Sequence, residues 1–90
     1  METLQFIDKG DSRIMVGKPE EAMTYYCAAL ALDRDCYAAW LGMGLALNSL
    51  YRYEEALSCY EKALALNSHS ITAECMAEYL RDKVRNYREH

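Results

Sequence analysis

Two acidic pairs, Glu20-Glu21 and Glu54-Glu55, are the first residues in this 90-residue chain whose types and spacing could do chemistry, since neighbouring carboxylates can serve as acid and base. Four cysteines, Cys27, Cys36, Cys59 and Cys75, and two histidines, His69 and His90, could hold a metal or form disulfides. Arg81, Lys83, Arg85 and Arg88 could meet phosphate or an acidic partner. Each has a plainer reading. Both acidic pairs open an apolar-periodic stretch, where carboxylates favour the exposed amides and the dipole of a first helical turn. The cysteines contain no Cys-x-x-Cys and sit in helix-like sequence, so they read as small apolar fillers in a reducing compartment. Neither histidine has metal-ligand spacing to them. The basic run suits a helix C-terminus. Tyr26 and Tyr60, among eight tyrosines, recur at core spacing. Glycine-rich phosphate loops, nucleophile elbows and zinc signatures are lacking. The chain is expected to be no enzyme and to need no cofactor or metal.

Composition narrows the class further. Hydrophobic residues make up 52% and charged residues 27%, the profile of a folded chain. A net charge of -4 provides no field that would gather it on nucleic acid. The amino end carries acids and no apolar run of signal length, and stretches of ~18 apolar residues are lacking, so a cytoplasmic chain without membrane partners is expected.

The elements that must position these residues show in the chain's likeness to itself. A slide of about 34 residues lays Glu20-Glu21-Ala22, Tyr26 and Ala29-Leu-Ala-Leu32 on Glu54-Glu55-Ala56, Tyr60 and Ala63-Leu-Ala-Leu66. It also lays Phe6 on Trp40 and Gly10 on Gly44. Trp40, Met43, Gly44 and Leu47 keep three-four-three spacing, as do Tyr53, Ala56, Leu57, Tyr60, Ala63 and Leu64, so each unit predicts a pair of amphipathic helices. Breaks at Gly17-Lys-Pro19 and Tyr51-Arg-Tyr53 are short enough to demand antiparallel neighbours. Gly10 with Ala22, and Gly44 with Ala56, are expected to let the paired backbones approach. Asn67-Ser-His-Ser70 then offers capping chemistry before a last helix. Its stripe of Ala73, Met76, Ala77, Leu80, Val84 and Tyr87 opposes charged Glu74, Glu78, Arg81, Asp82, Arg85 and Glu89. A helix apolar on one side can close a stack of pairs. The expected fold is all-α, a superhelix of antiparallel pairs with about five helices in one domain over 1–90: one unit at 3–36, one at 37–70 and a capping helix at 71–88.

Trp40-x-x-Met43-Gly44-x-x-Leu47 followed by Ala56, Tyr60 and Ala63 resembles a tetratricopeptide repeat, and Phe6, Gly10, Ala22, Tyr26 and Ala29 give a second match. Lys9 and Arg13 depart from the family's apolar positions, and Arg34 and Ser68 from its terminal proline. The resemblance implies a scaffold, adaptor or chaperone-like module that binds a partner in the concavity lined by the first helix of each pair. With Phe6 and Trp40 inward, helix geometry turns Leu4, Ile7, Asp11, Ile14 and Met15, with Ala38, Leu41, Leu45, Asn48 and Ser49, towards that groove. One subclass of the family grips the acidic tail of heat-shock chaperones with lysine, arginine and asparagine. The matching places here hold Ile7, Asp11 and Gly42, then Thr72 and Met76, or Ile71 and Cys75 one residue back, none of which clamps a carboxylate. The expected partner is therefore another protein's apolar peptide or amphipathic helix, and the alternative is a second copy of the chain in a homo-oligomer.

Overall fold

A computed structural model describes residues 2–88, with side chains through Asn86. The side chains of Tyr87 and Arg88, and Glu89 and His90, lie outside the described residues. Among the described residues five α-helices follow one another: α1 (Glu2–Met15), α2 (Pro19–Leu32), α3 (Tyr37–Ser49), α4 (Tyr53–Leu66) and α5 (Ile71–Arg88). The fold is an all-α superhelix of antiparallel pairs, with no strand among the described residues. Each helix packs on the next, and α1 also touches α3.

The joints repeat as faithfully as the helices. At the end of α1 the Gly17 N–H donates to the Ile14 carbonyl at 3.1 Å and the Lys18 N–H to Arg13 at 2.8 Å. At the end of α3, Tyr51 donates to Asn48 at 3.0 Å and Arg52 to Leu47 at 2.9 Å. Both turns need a left-handed residue to satisfy the last helical carbonyls. Gly17 supplies it at φ 77°, and Tyr51 supplies it at φ 63° without a glycine's freedom. Between units, the Asp33 carboxylate accepts from the Asp35 N–H at 3.1 Å, and the Asn67 side chain from the His69 N–H at 3.2 Å. These local turns stop α2 and α4 where Arg34 and Ser68 stand in place of a proline. Ser70 then caps α5, its Oγ accepting from the Ala73 N–H at 3.1 Å.

Two apolar clusters fill the stack, one around Ala22, Tyr26 and Ala29 and one around Leu47, Tyr60 and Leu80. Ala73, Ala77, Leu80 and Val84 of α5 are buried, whereas Glu74, Glu78, Arg81, Asp82 and Arg85 are exposed. Two expectations change. The space left by Gly10 and Gly44 is taken by tyrosine rings: a Cβ there would lie 2.7 Å from Tyr26 and 2.8 Å from Tyr60. An aromatic ring needs more room than an alanine methyl, so tyrosine sets the glycine requirement. Among the cysteines only Cys59 is buried; Cys27 and Cys75 are exposed and Cys36 is intermediate, because the small-residue seams are occupied by alanine. The charged departures are solvated at their tips: Lys9 reaches over the Tyr25 ring at 5.9 Å, and Arg13 lies 4.0 Å from Glu21.

Candidate partner-binding groove

α1 and α3 lie side by side with α2 behind them, and a shallow concavity opens between the first two. Its wall is Ile7, Asp11, Ile14 and Met15 from α1 and Tyr37, Ala38, Leu41, Gly42 and Leu45 from α3, with Tyr26 of α2 at the back. Spacing by three and four along α1, and by four along α3, aligns these side chains on single faces.

Tyr26 builds the back wall. Its ring is fully buried against two glycines, since a Cβ on Gly42, like one on Gly10, would collide with it. A buried phenol needs a partner for its hydroxyl, and Tyr26 Oη donates to Asp11 Oδ1. Burial first, then this bond and the charge of Asp11, push the phenol well above the ordinary tyrosine range. At the far end of the concavity Tyr37 Oη and Ser70 Oγ share a hydrogen bond, tying the start of α3 to the cap of α5.

The second unit repeats the ring and not the bond. Tyr60 is fully buried against Gly44, but its hydroxyl has no partner among the described residues. The slide that takes Tyr26 to Tyr60 takes Asp11 to Leu45, which has nothing to accept with. Burial again raises the Tyr60 phenol far above its usual range.

Seven of the ten sequence-derived groove residues therefore meet in one concavity: Ile7, Asp11, Ile14, Met15, Ala38, Leu41 and Leu45. They are not equally accessible. Ile7 is 8% exposed and belongs to the core cluster, so it forms the floor. Leu41 is intermediate and packs on the second cluster, while Leu45 and Met15 are open at 40% and 86%. The structure does not bring Leu4, Asn48 or Ser49 to this concavity. Leu4 is exposed a turn before Ile7, and Asn48 and Ser49 reach the last turn of α3, where the Asn48 carbonyl accepts from Tyr51 and Ser49 Oγ donates to the Leu45 carbonyl at 3.0 Å. Gly42 lines it without having been expected to, and so do Tyr26 and Tyr37. Their signal was the buried phenol's need for a polar neighbour, and Asp11 is a polar residue on the same inner face.

Among the described residues, groups of three or more histidines, cysteines or acids that could hold a metal are absent. No helix among them is long and apolar enough to cross a membrane. Glu20-Glu21 and Glu54-Glu55 occupy the first turns of α2 and α4, where Glu21 faces Lys18 at 3.7 Å and Glu55 faces Arg52 at 2.7 Å. These acids serve helix ends and surface ion pairs, away from the concavity.

Comparison with known proteins adds the wider setting. A family model described as tetratricopeptide repeat matches residues 37–70, and a second of the same description matches residues 8–36. Over 56 residues the chain is 36% identical to a probable UDP-N-acetylglucosamine–peptide N-acetylglucosaminyltransferase, SPINDLY, of Oryza sativa subsp. japonica. That match covers 62% of this chain and 6% of the plant protein. Over 53 residues it is 40% identical to an uncharacterized protein of Methanocaldococcus jannaschii, covering 59% of this chain and 62% of that one. The second TPR of Spaghetti (RPAP3), solved bound to the HSP90 peptide SRMEEVD, superposes with a TM-score of 0.91 at 21% identity, over 99% of this chain and 82% of that one.

Proposed function

The chain belongs to the tetratricopeptide-repeat family, and from that premise we propose that it is a protein-protein interaction module whose α1–α3 concavity receives an apolar helix or extended segment of a partner. The observation that carries this reading is an open face with a largely apolar lining, where a surface that did nothing but meet water would be polar. Spaghetti's TPR, of the same fold, was solved with an HSP90 peptide bound, which supports a peptide as the kind of occupant. The acidic-tail clamp is not expected to transfer, because Ile7, Asp11 and Gly42 stand at the matching places and none donates to a carboxylate. The role is that of a non-catalytic adaptor or small chaperone-like scaffold in the reducing cytoplasm. The glycosyltransferase chemistry of the rice protein belongs to a chain of which this one spans 6%.

Leu45→Ala tests the reading most cleanly, because Leu45 is 40% exposed and carries less of the core than Leu41. Binding of a helical peptide with leucines at i, i+3, i+4 and i+7 should weaken by ~1 to 3 kcal/mol while the melting curve barely moves. Glu78→Ala, on the outer face of α5, should change neither. Unchanged peptide binding by Leu45→Ala would reject the concavity as the docking site. Sedimentation over a concentration series separates hetero-association from self-association through the same face, since only the latter follows mass action in this chain alone.

A further inference from the structure

Among the described residues that line the concavity, Asp11 is the one acidic or basic side chain. The facing helix α3 contains no charged residue at all. The cations of α1 and of the turn that follows it are engaged elsewhere: Arg13 and Lys18 face Glu21 at 4.0 and 3.7 Å, and Lys9 lies over Tyr25. Among the described residues no ion pair within 4.0 Å includes Asp11 or Asp8. Asp8 is exposed and stands one turn earlier on the same face of α1, three residues away. The Asp11 carboxylate is also held in place, because Tyr26 donates to Oδ1 from a fully buried ring. Oδ2 receives no hydrogen bond from the described residues. A fixed anion with an open oxygen, set in an apolar lining, complements a cation carried on an apolar segment.

Resting on the docking proposal above, we propose that the occupant is a basic amphipathic segment of a partner protein, with apolar anchors on Leu41 and Leu45 and an arginine or lysine paired with Asp11. An acidic tail would instead bring like charge to Asp11 and Asp8.

Two helical peptides with the same leucine stripe, one with arginines and one with glutamates at its polar positions, test this by fluorescence anisotropy. The arginine peptide should bind about five- to tenfold more tightly at low salt, with the preference shrinking at about 0.5 M salt. Asp11→Asn keeps an acceptor for Tyr26 and should cut that preference about threefold or more. Glu78→Gln makes the same change in net charge on the outer face of α5 and should leave the preference intact. Asp8→Asn, at an exposed position without an ion pair, should move it in the same direction as Asp11→Asn and gives the readout if Asp11→Asn fails to fold. Leu45→Ala should weaken both peptides equally. Equal binding of the two peptides that still depends on Leu45 would overturn the charge preference and leave the docking site standing. A preference that Glu78→Gln reduces as much as Asp11→Asn does would assign it to the chain's overall charge and overturn the inference. Absence of binding, or binding indifferent to Leu45→Ala, would remove the docking proposal and this inference with it.

Discussion

Tyr26 and Tyr60 are the same residue in two copies of one plan, and their hydroxyls have opposite fates. Tyr26 Oη has Asp11, while Tyr60 Oη is buried without a partner among the described residues. A buried hydroxyl that makes no bond costs about 1–3 kcal/mol, whereas one that makes its bond contributes about 1. Tyr60→Phe should therefore leave stability unchanged or raise it by up to ~1 kcal/mol, and Tyr26→Phe should lower it by ~1 kcal/mol, both read from urea unfolding. Both phenols sit above their ordinary value in the folded chain. Their contribution is thus fully present below the unfolded pKa and lost as pH climbs above it. Stability should hold through neutral pH and fall from about pH 10 upward, and the double Phe variant should blunt that fall. Thiol chemistry gives a further check. Burial first, then the charges of Glu55 and Cys27, push Cys59 up to about 11, so an alkylating reagent at mildly alkaline pH should label exposed Cys27 and Cys75 and spare Cys59. The periodic spacing showed which faces were apolar, including Ile7, Leu41 and Leu45. It did not show the Tyr26–Asp11 bond, which spans 15 residues and has no counterpart in the second unit. Nor did it separate buried Cys59 from exposed Cys27, since both lie in helices of similar pattern.

Among the helices and turns, the end of α3 is the least legible joint in the sequence. Leu50-Tyr51-Arg52 holds no breaker, yet Tyr51 takes the left-handed conformation that Gly17 takes in the first unit. Only the superposition of the two turns, bond for bond, identifies Tyr51 as the residue that closes the helix. Tyr51 is 78% exposed and meets Tyr53 edge-on with ring centroids 6.3 Å apart, so little packing offsets its backbone strain. Tyr51→Gly should raise stability by ~1 kcal/mol, and Gly17→Ala should lower it by about the same, measured as shifts in melting temperature. The other boundaries were readable for physical reasons: Pro19 fixes the first turn of α2 and Ser70 caps α5.

Across the whole molecule, cohesion depends on a ring that belongs to two units at once. Tyr26 rises from α2 and rests on Gly10 of its own unit and Gly42 of the next. Gly42→Ala would drive a methyl into that ring and should cost ~2 kcal/mol or more. Gly44→Leu should cost at least as much through Tyr60. Circular dichroism melts of both variants should keep a single transition if the two units unfold together; two transitions would show that each unit stands alone. Gly42 itself had no visible role in the sequence, because its first-unit counterpart is Asp8 and the repeat conceals a contact made only between units. The uncharged helix α3 carries one more consequence. It is shielded on one flank by α2 and on the other by α4. During synthesis the chain emerges amino end first, so thirteen residues without a single charge precede α4 out of the ribosome. For that interval the nascent chain presents the kind of apolar segment that holdase chaperones and the aggregation pathway compete for, and the pace at which α4 follows sets how long the competition lasts.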